Sequence, residues 1–270
     1  MDDTLRSLQS RAGIGLTANV VQQRTLRLGS TAVDSPALIL LRHGRKTLRA
    51  GTRTWRADTG DAIVVAAGQR LDIENRLSAD GLFAARWVVW DASLVAHAQA
   101  RVHGGRELPD VAVLRRVPPA FVAAVDRAVE AIAGTDAIPD AIAAHRLGEL
   151  LVWLAELGVR LAPGRQASTS ARLRGLVAAA PASPWTVATI AGRIATSPAT
   201  LRRRLDAEGT SFNAVLVDAR MSHALTLLQT TDRPVADIAA DVGYDSASRF
   251  AIRFRSRYGF APSVVRGHAR

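Results

Sequence analysis

The chain contains no cysteine. That excludes disulfides, thiolate metal sites and thiol nucleophiles, including the cysteine transfer chemistry of DNA alkylation repair. It is compatible with a reducing compartment. Only one of the 35 basic residues is lysine, Lys46. No apolar run approaches the ~18–20 residues needed to span a bilayer. The first ten residues, MDDTLRSLQS, lack the apolar core of a signal peptide. The expectation is a cytoplasmic protein without membrane contact. His43, His97 and His103 stand apart from one another, and no His-x-His pair occurs. The sequence therefore offers no metal site, no cofactor and no catalytic constellation.

What remains is ample for two folded domains: 270 residues, 48% of them hydrophobic. The net charge of +11 is uneven. From Arg165 to Arg270 there are 15 arginines against 7 acids, a net of +8, while the preceding residues carry 20 basic and 17 acidic side chains, a net of +3. A basic C-terminal third points to a polyanionic partner, although arginine-rich composition alone accounts for part of it.

That basic third also repeats itself. Val187, Ala188, Ile190, Ala191 and Ile194 recur 48 residues later as Val235, Ala236, Ile238, Ala239 and Val242. After one extra residue, Ser197, Leu201 and Leu205 recur 49 residues later as Ser246, Phe250 and Phe254. Each copy reads as a helix-turn-helix. Helices are expected at about 170–180, 186–194, 198–207, 211–230, 234–242, 246–257 and 262–267. Ser197 before Pro198, and Asp245-Ser246, supply N-caps; Gly209 and Gly259 lie where C-caps belong.

If Leu201, Leu205, Phe250 and Phe254 face inward, the outward residues are base-contact candidates. These are Ala199, Thr200, Arg202 and Arg203 on the first recognition helix, and Ala247, Ser248, Arg249 and Ile252 on the second. Arg253 is also outward. Ser197 and Ser246 at helix N-termini, with Arg220, Arg253 and Arg255, are candidates for phosphate contacts. A connecting helix of 20 residues spans about 30 Å. Adjacent major-groove faces lie ~34 Å apart, so both units could read one side of a duplex.

The front half changes period. Residues 20 to 95 carry short strand-like runs, Ala37–Leu41, Thr47–Ala50, Ala62–Ala66 and Leu82–Val89, punctuated by glycine, as in a small barrel or sandwich. Pro118–Ala133 and Pro139–Leu161 read as helices. In the second, Leu147, Leu150, Leu151, Leu154, Leu157 and Leu161 form a stripe that either completes the barrel's core or forms a dimer seam. The segment Ala162–Ser170 reads as a linker. The expected division is 1–162, a linker at 163–169, and 170–270.

The residues of the last hundred positions resemble the AraC/XylS family of bacterial transcription regulators. The resemblance covers roughly 168–268. It is carried by Ala191, Ser197, Leu201, Arg203, Gly209, Phe212, Arg220, Ala224, Leu227 and Leu228. It continues through Ile238, Ala239, Gly243, Tyr244, Phe250, Phe254, Gly259, Pro262, Ser263 and Arg266. It implies promoter binding to double-stranded DNA, an activator that contacts RNA polymerase, and dimerisation through helices at the position of the leucine stripe.

Two positions depart from the pattern: Ile252 stands where the family often has arginine, and Val265 where it has tyrosine. The front half resembles the family's cupin-like sensor domain through Gly60, Gly68 and Asn75. Leu71 stands where metal-binding cupins carry histidine and Ala66 where they carry proline, which argues against a metal-dependent enzyme. The resemblance thus implies an α+β protein: a cupin-like β-barrel, a helical dimerisation or linker segment, and an all-α domain of two helix-turn-helix units. Arg42, Arg45, Trp55, Arg86, Trp87 and Trp90 lie on or near the barrel strands, and an arginine inside would favour a carboxylate effector. The alternative is an architectural DNA-binding protein without effector response.

Overall fold

A computed structural model describes residues 6–99, 102–134, 137–162 and 167–266. They fall into two compact units, divided between Arg165 and Gln166. The expected linker at 163–169 includes 163–166, which lie outside the described residues.

The first unit opens with nine strands: β1 (Ser7–Arg11), β2 (Gly15–Gln22), β3 (Leu26–Val33), β4 (Ala37–His43), β5 (Arg45–Ala50), β6 (Arg53–Asp58), β7 (Ala62–Val65), β8 (Gln69–Arg76) and β9 (Phe83–Trp90). Helix α1 (Ala92–Gln99), strands β10 (Arg106–Glu107) and β11 (Val111–Leu114), helices α2 (Pro119–Ala133) and α3 (Asp140–Glu156), and strand β12 (Val159–Arg160) follow. Six strands form one sheet in the order β1-β2-β9-β4-β7-β11, and four form a second, β3-β8-β5-β6.

Side-chain alternation divides the large sheet into two apolar faces. Leu38, Leu40, Val88 and Trp90 pack with Phe121, Val125, Leu147 and Leu150 of α2 and α3. The alternate residues Ile39, Leu41, Phe83 and Ala85 are also buried. Burial on both faces is why β4 and β7 read as unbroken apolar runs. The indole Nε1 of Trp90 donates to the Leu147 carbonyl at 3.1 Å, tying sheet to helix.

The leucine stripe needs correction as a dimer seam. Leu147, Leu150 and Leu154 are 0% exposed and Leu151 is 5% exposed, all within one chain's core, with Leu157 packed against the same cluster. The apolar surface of Leu147, Leu150, Leu151 and Leu154 is already consumed, and Leu157 is partly covered, so the stripe is not free for a second chain. The helix also ends earlier than periodicity predicts. Gly158 adopts φ +86°, and the chain turns into β12, which pairs with β10.

The second unit contains α4 (Thr169–Ala179), α5 (Val187–Arg193), α6 (Pro198–Ala207), α7 (Phe212–Thr230), α8 (Val235–Asp241) and α9 (Ala247–Tyr258), and it closes with a 3-10 turn, Pro262–Arg266. Hydroxyls cap most of these starts. Ser168, Thr186, Ser197, Ser211 and Ser246 each accept a backbone N–H of the following turn. Leu173, Val177, Ile190, Ala191, Leu201, Leu205 and Val215 make one core. In the second half, the Tyr244, Phe250, Phe254, Tyr258 and Phe260 rings form a chain of aromatic contacts, with successive centroids 4.8–6.2 Å apart.

Candidate nucleic-acid interface

Helix pairs α5–α6 and α8–α9 are the two helix-turn-helix units. Their turns differ as the repeat requires, running through 194–197 in one and 242–246 in the other. Ala195 in the first turn has φ +53°, and its counterpart Gly243 has φ +77°. Both turns thus demand the left-handed conformation that glycine adopts without strain. The second position needs glycine for space as well, because a Cβ there would lie 2.8 Å from a terminal nitrogen of Arg220.

Burial of Leu201 and Leu205 turns Ala199, Arg202 and Arg203 to solvent, with Thr200 half-buried at the first turn of α6. Burial of Phe250 and Phe254 likewise exposes Ala247, Ser248, Arg249, Ile252, Arg253 and Arg255 on α9. Ile252 is 66% exposed, an apolar side chain presented on the reading face. The guanidinium groups of Arg202, Arg203, Arg249, Arg253 and Arg255 form no hydrogen bond or ion pair among the described residues, so they are available to a polyanion. The hydroxyls of Ser197 and Ser246 are engaged as caps, accepting from the Thr200 N–H at 3.1 Å and the Arg249 N–H at 3.5 Å. They hold the N-termini of both recognition helices in place.

Arg220 is the exception among the expected phosphate ligands. Its side chain is half-buried on α7. Its Nε donates to the Pro181 carbonyl and a terminal nitrogen to the Ser183 carbonyl, each at 3.0 Å. It also lies against the position where a Gly243 Cβ would stand. The guanidinium therefore joins the segment before α5 to α7 and to the turn of the second unit. It is a staple inside the domain and is not available to phosphate. Sequence spacing gave no sign of this, because its acceptors are backbone carbonyls 37 and 39 residues away.

The first unit gives a second correction. None of the arginines considered for the barrel interior points there. Arg42 and Arg86 both pair with Asp126 of α2, and Arg45 pairs with Asp58. The interior cation is the chain's single lysine. Lys46 is 0% exposed and donates to the Asn75 side-chain oxygen at 2.8 Å. Burial pushes its ammonium down to about 7. A signal for it did exist, since Lys46 shares the alternation parity of Leu48, whereas Arg45 and Arg49 do not. Leu71, at the cupin ligand position, is buried. Among the described residues no three His, Asp or Glu side chains gather as metal ligands.

Two helix-turn-helix units on one connecting helix, each presenting an arginine-bearing recognition helix, define a tandem DNA-binding domain. Residues 190–268, within the C-terminal unit, match the helix-turn-helix domain family, of the AraC type. The chain is similar to the HTH-type transcriptional regulator YdeO of Escherichia coli (strain K12), 37% identical over 98 residues, which cover 36% of this chain and 38% of that protein. It is also similar to the HTH-type transcriptional regulator GadX of Escherichia coli O6:H1, 38% identical over 82 residues, 30% of each chain. These matches thus span well under half of the relatives' length.

Among solved structures, unsaturated fatty acid-bound wild-type ToxT from Vibrio cholerae strain SCE256 superposes with a TM-score of 0.65 over 97% of this chain and 99% of that one, at 14% identity. That likeness is one of fold: a β-rich N-terminal domain followed by a helical helix-turn-helix domain. No described helix is long and apolar enough to cross a membrane.

Proposed function

We propose that this protein is a sequence-specific transcription regulator whose C-terminal unit reads two adjacent major-groove faces of promoter DNA. The observation that carries the reading is the pair of capped recognition helices, each anchored by buried residues at i and i+4 and each exposing unpaired arginines. Ala199, Thr200, Arg202 and Arg203, with Ala247, Ser248, Arg249 and Ile252, would meet base edges. Arg253 and Arg255 would meet phosphate, as would the helix N-termini capped by Ser197 and Ser246. The 19-residue α7 is about 28 Å long, close to one helical repeat of DNA. Arg203 in the first unit corresponds to Ile252 in the second. The first unit would therefore supply the bidentate guanine contact, and the second would rely more on thymine methyls and phosphate grip.

The N-terminal unit would sense a small molecule, with activation through RNA polymerase as output. The regulators YdeO and GadX support the transcriptional role, and the fatty acid bound to ToxT supports a ligand-sensing β unit. The chain would act in the cytoplasm, without catalysing a reaction. With the leucines buried, a homodimer would use the outer face of α3, where Ile142 and Val152 are each 46% exposed.

The test is equilibrium binding of the full-length protein to an enriched duplex and to its scrambled form across a salt series. A regulator is expected to prefer the enriched site by about 10³-fold or more at physiological salt. Equal affinity for both, with a common salt slope, would mark an architectural protein instead.

A further inference from the structure

The positive charge of the β unit gathers on the outer face of its smaller sheet, β3-β8-β5-β6. Leu26 and Leu28 of β3, Lys46 and Leu48 of β5, Ala57 of β6, and Leu71, Ile73 and Asn75 of β8 are buried, so the alternate residues of each strand point outward. These include Arg27, Arg45, Arg49, Arg56, Arg70 and Arg76, none of which is buried. The register sets Arg27 beside Glu74, Arg76 beside Arg45, and Arg56 beside Thr47. Only Asp58, Asp72 and Glu74 oppose them in sign. The face thus holds six of the 20 basic and three of the 17 acidic residues of positions 1–164, a net of +3. Over the rest of those positions the two signs cancel.

These arginines are held in place without being neutralised. Glu74 is 5% exposed and gathers three of them, Arg49 at 3.2 Å, Arg76 at 3.0 Å and Arg27 at 3.5 Å. Burial alone would raise its carboxyl, but the Arg49 hydrogen bond and the Arg27 and Arg76 charges hold it below the ordinary carboxylate range. One carboxylate therefore fixes three guanidinium groups and leaves two charges in excess. Arg45 pairs with Asp58 at 2.6 Å. Arg70 donates to the Ser30 carbonyl and hydroxyl at 3.2 Å, both neutral acceptors. Arg56 forms no hydrogen bond or ion pair among the described residues. Each guanidinium has five N–H donors, so even those on Glu74 retain some for a further acceptor. Like charges on neighbouring strands repel, and a polyanion laid across them relieves that repulsion.

We infer that this face is a second DNA contact, which grips the phosphate backbone of duplex flanking the sequence read by the C-terminal unit. The contact rests on the reading of that unit as a DNA reader. Duplex held by the reader is at high effective concentration for a face on the same chain. Four strands make the face about 14 Å wide, and β8 from Arg70 to Arg76 runs about 20 Å. With one duplex charge per ~1.7 Å of axis, a face of that size meets several phosphates. It is wider than the ~12 Å major groove, so it adds affinity and salt sensitivity without sequence preference.

The test binds full-length protein, across a salt series, to two duplexes that carry the same enriched site. One ends at the boxes, and the other extends about two helical turns beyond them on each side. Duplex ends lower the salt slope for any protein, so wild type and variant are compared on each duplex. The variant is Arg56→Gln with Arg70→Gln, two side chains clear of Glu74. On the extended duplex its slope of log K against log salt is expected to be shallower by about 1.8, as for two lost phosphates. Between roughly 50 and 200 mM salt that is about a twelvefold difference in sensitivity. On the short duplex the two proteins are expected to bind alike. Hydroxyl-radical footprinting of wild type on the extended duplex is expected to show backbone protection outside the boxes.

Equal slopes for wild type and variant on the extended duplex, or a wild-type footprint confined to the boxes, would overturn the contact. So would a variant that loses as much on the short duplex as on the extended one. The wild-type footprint keeps the test decisive if the double variant fails to fold. Failure of the DNA-reading role looks different: neither protein would prefer the enriched site to a scrambled duplex, while the slope difference on long DNA would persist.

Discussion

Replacing Arg220 by alanine separates a structural staple from a DNA contact. The wild-type guanidinium donates to two carbonyls, of Pro181 and Ser183. Hydrogen bonds involving a charged group contribute about 1.5–3 kcal/mol each, and the two share one side chain, so their losses will not simply add. The variant also opens a void beside Gly243 and leaves two carbonyls short of a donor. A destabilisation of about 2–4 kcal/mol is expected for the C-terminal unit, large against the marginal stability of a domain this size. Urea unfolding of the full-length protein, followed by far-ultraviolet circular dichroism of its helices, measures it. DNA binding at several salt concentrations provides the control. A phosphate ligand would lower the salt slope by about one ion on removal; a staple leaves the slope unchanged while affinity falls through lost alignment of the two units. Stability within about 0.5 kcal/mol of wild type, together with a shallower salt slope, would refute the argument.

Gly243→Ala is expected to destabilise the same unit by roughly 1–3 kcal/mol, because it combines a positive φ with a contact on Arg220. Chemical denaturation reads it, and a neutral effect would mean that the turn relaxes freely. Leu150→Asp with Leu154→Asp is expected to unfold the β unit, since each places a carboxylate in a filled core, whereas Ile142→Asp with Val152→Asp is expected to leave it folded and halve the mass by light scattering. A folded monomer from the leucine pair would contradict their placement.

Lys46 also gives a pH dependence. Its folded value is about 7 against an ordinary 10.5. Between those values the unfolded chain holds a proton that the folded chain has released. Stability of the β unit should therefore rise with pH across that window, by at most about 1.4 kcal/mol per pH unit. Below 7 this contribution flattens. Urea unfolding from pH 7 to 9 should show the rise in wild type and not in Lys46→Met; equal slopes in both would show that Lys46 does not titrate there.

The residues that repeat were the legible ones. Leu201 and Phe250 mark the inward side of each recognition helix, and everything outward of them follows from helical geometry alone. The leucine stripe was legible only in part. Periodicity identifies an apolar face but not the surface that covers it, and here Phe121 and Trp90 of the same chain do so. Long-range polar contacts were invisible. Neither the pairing of Arg220 with the 181–183 segment nor that of Arg86 with Asp126 leaves a pattern in local sequence. Lys46 lies between these cases: it shares strand parity with the buried Leu48, yet an ammonium ordinarily favours the surface. The cupin-motif Asn75 turned out to hold that lysine.

The most direct test of the central claim is in vitro selection of DNA sites by the full-length protein, repeated with Arg203→Ala. Two enriched boxes about one helical turn apart are expected in wild type. Arg203→Ala should lose preference at one position of one box, at a cost of about 1–3 kcal/mol. No enrichment of any sequence, or a uniform loss across all sites in the variant, would contradict sequence reading by these two helices.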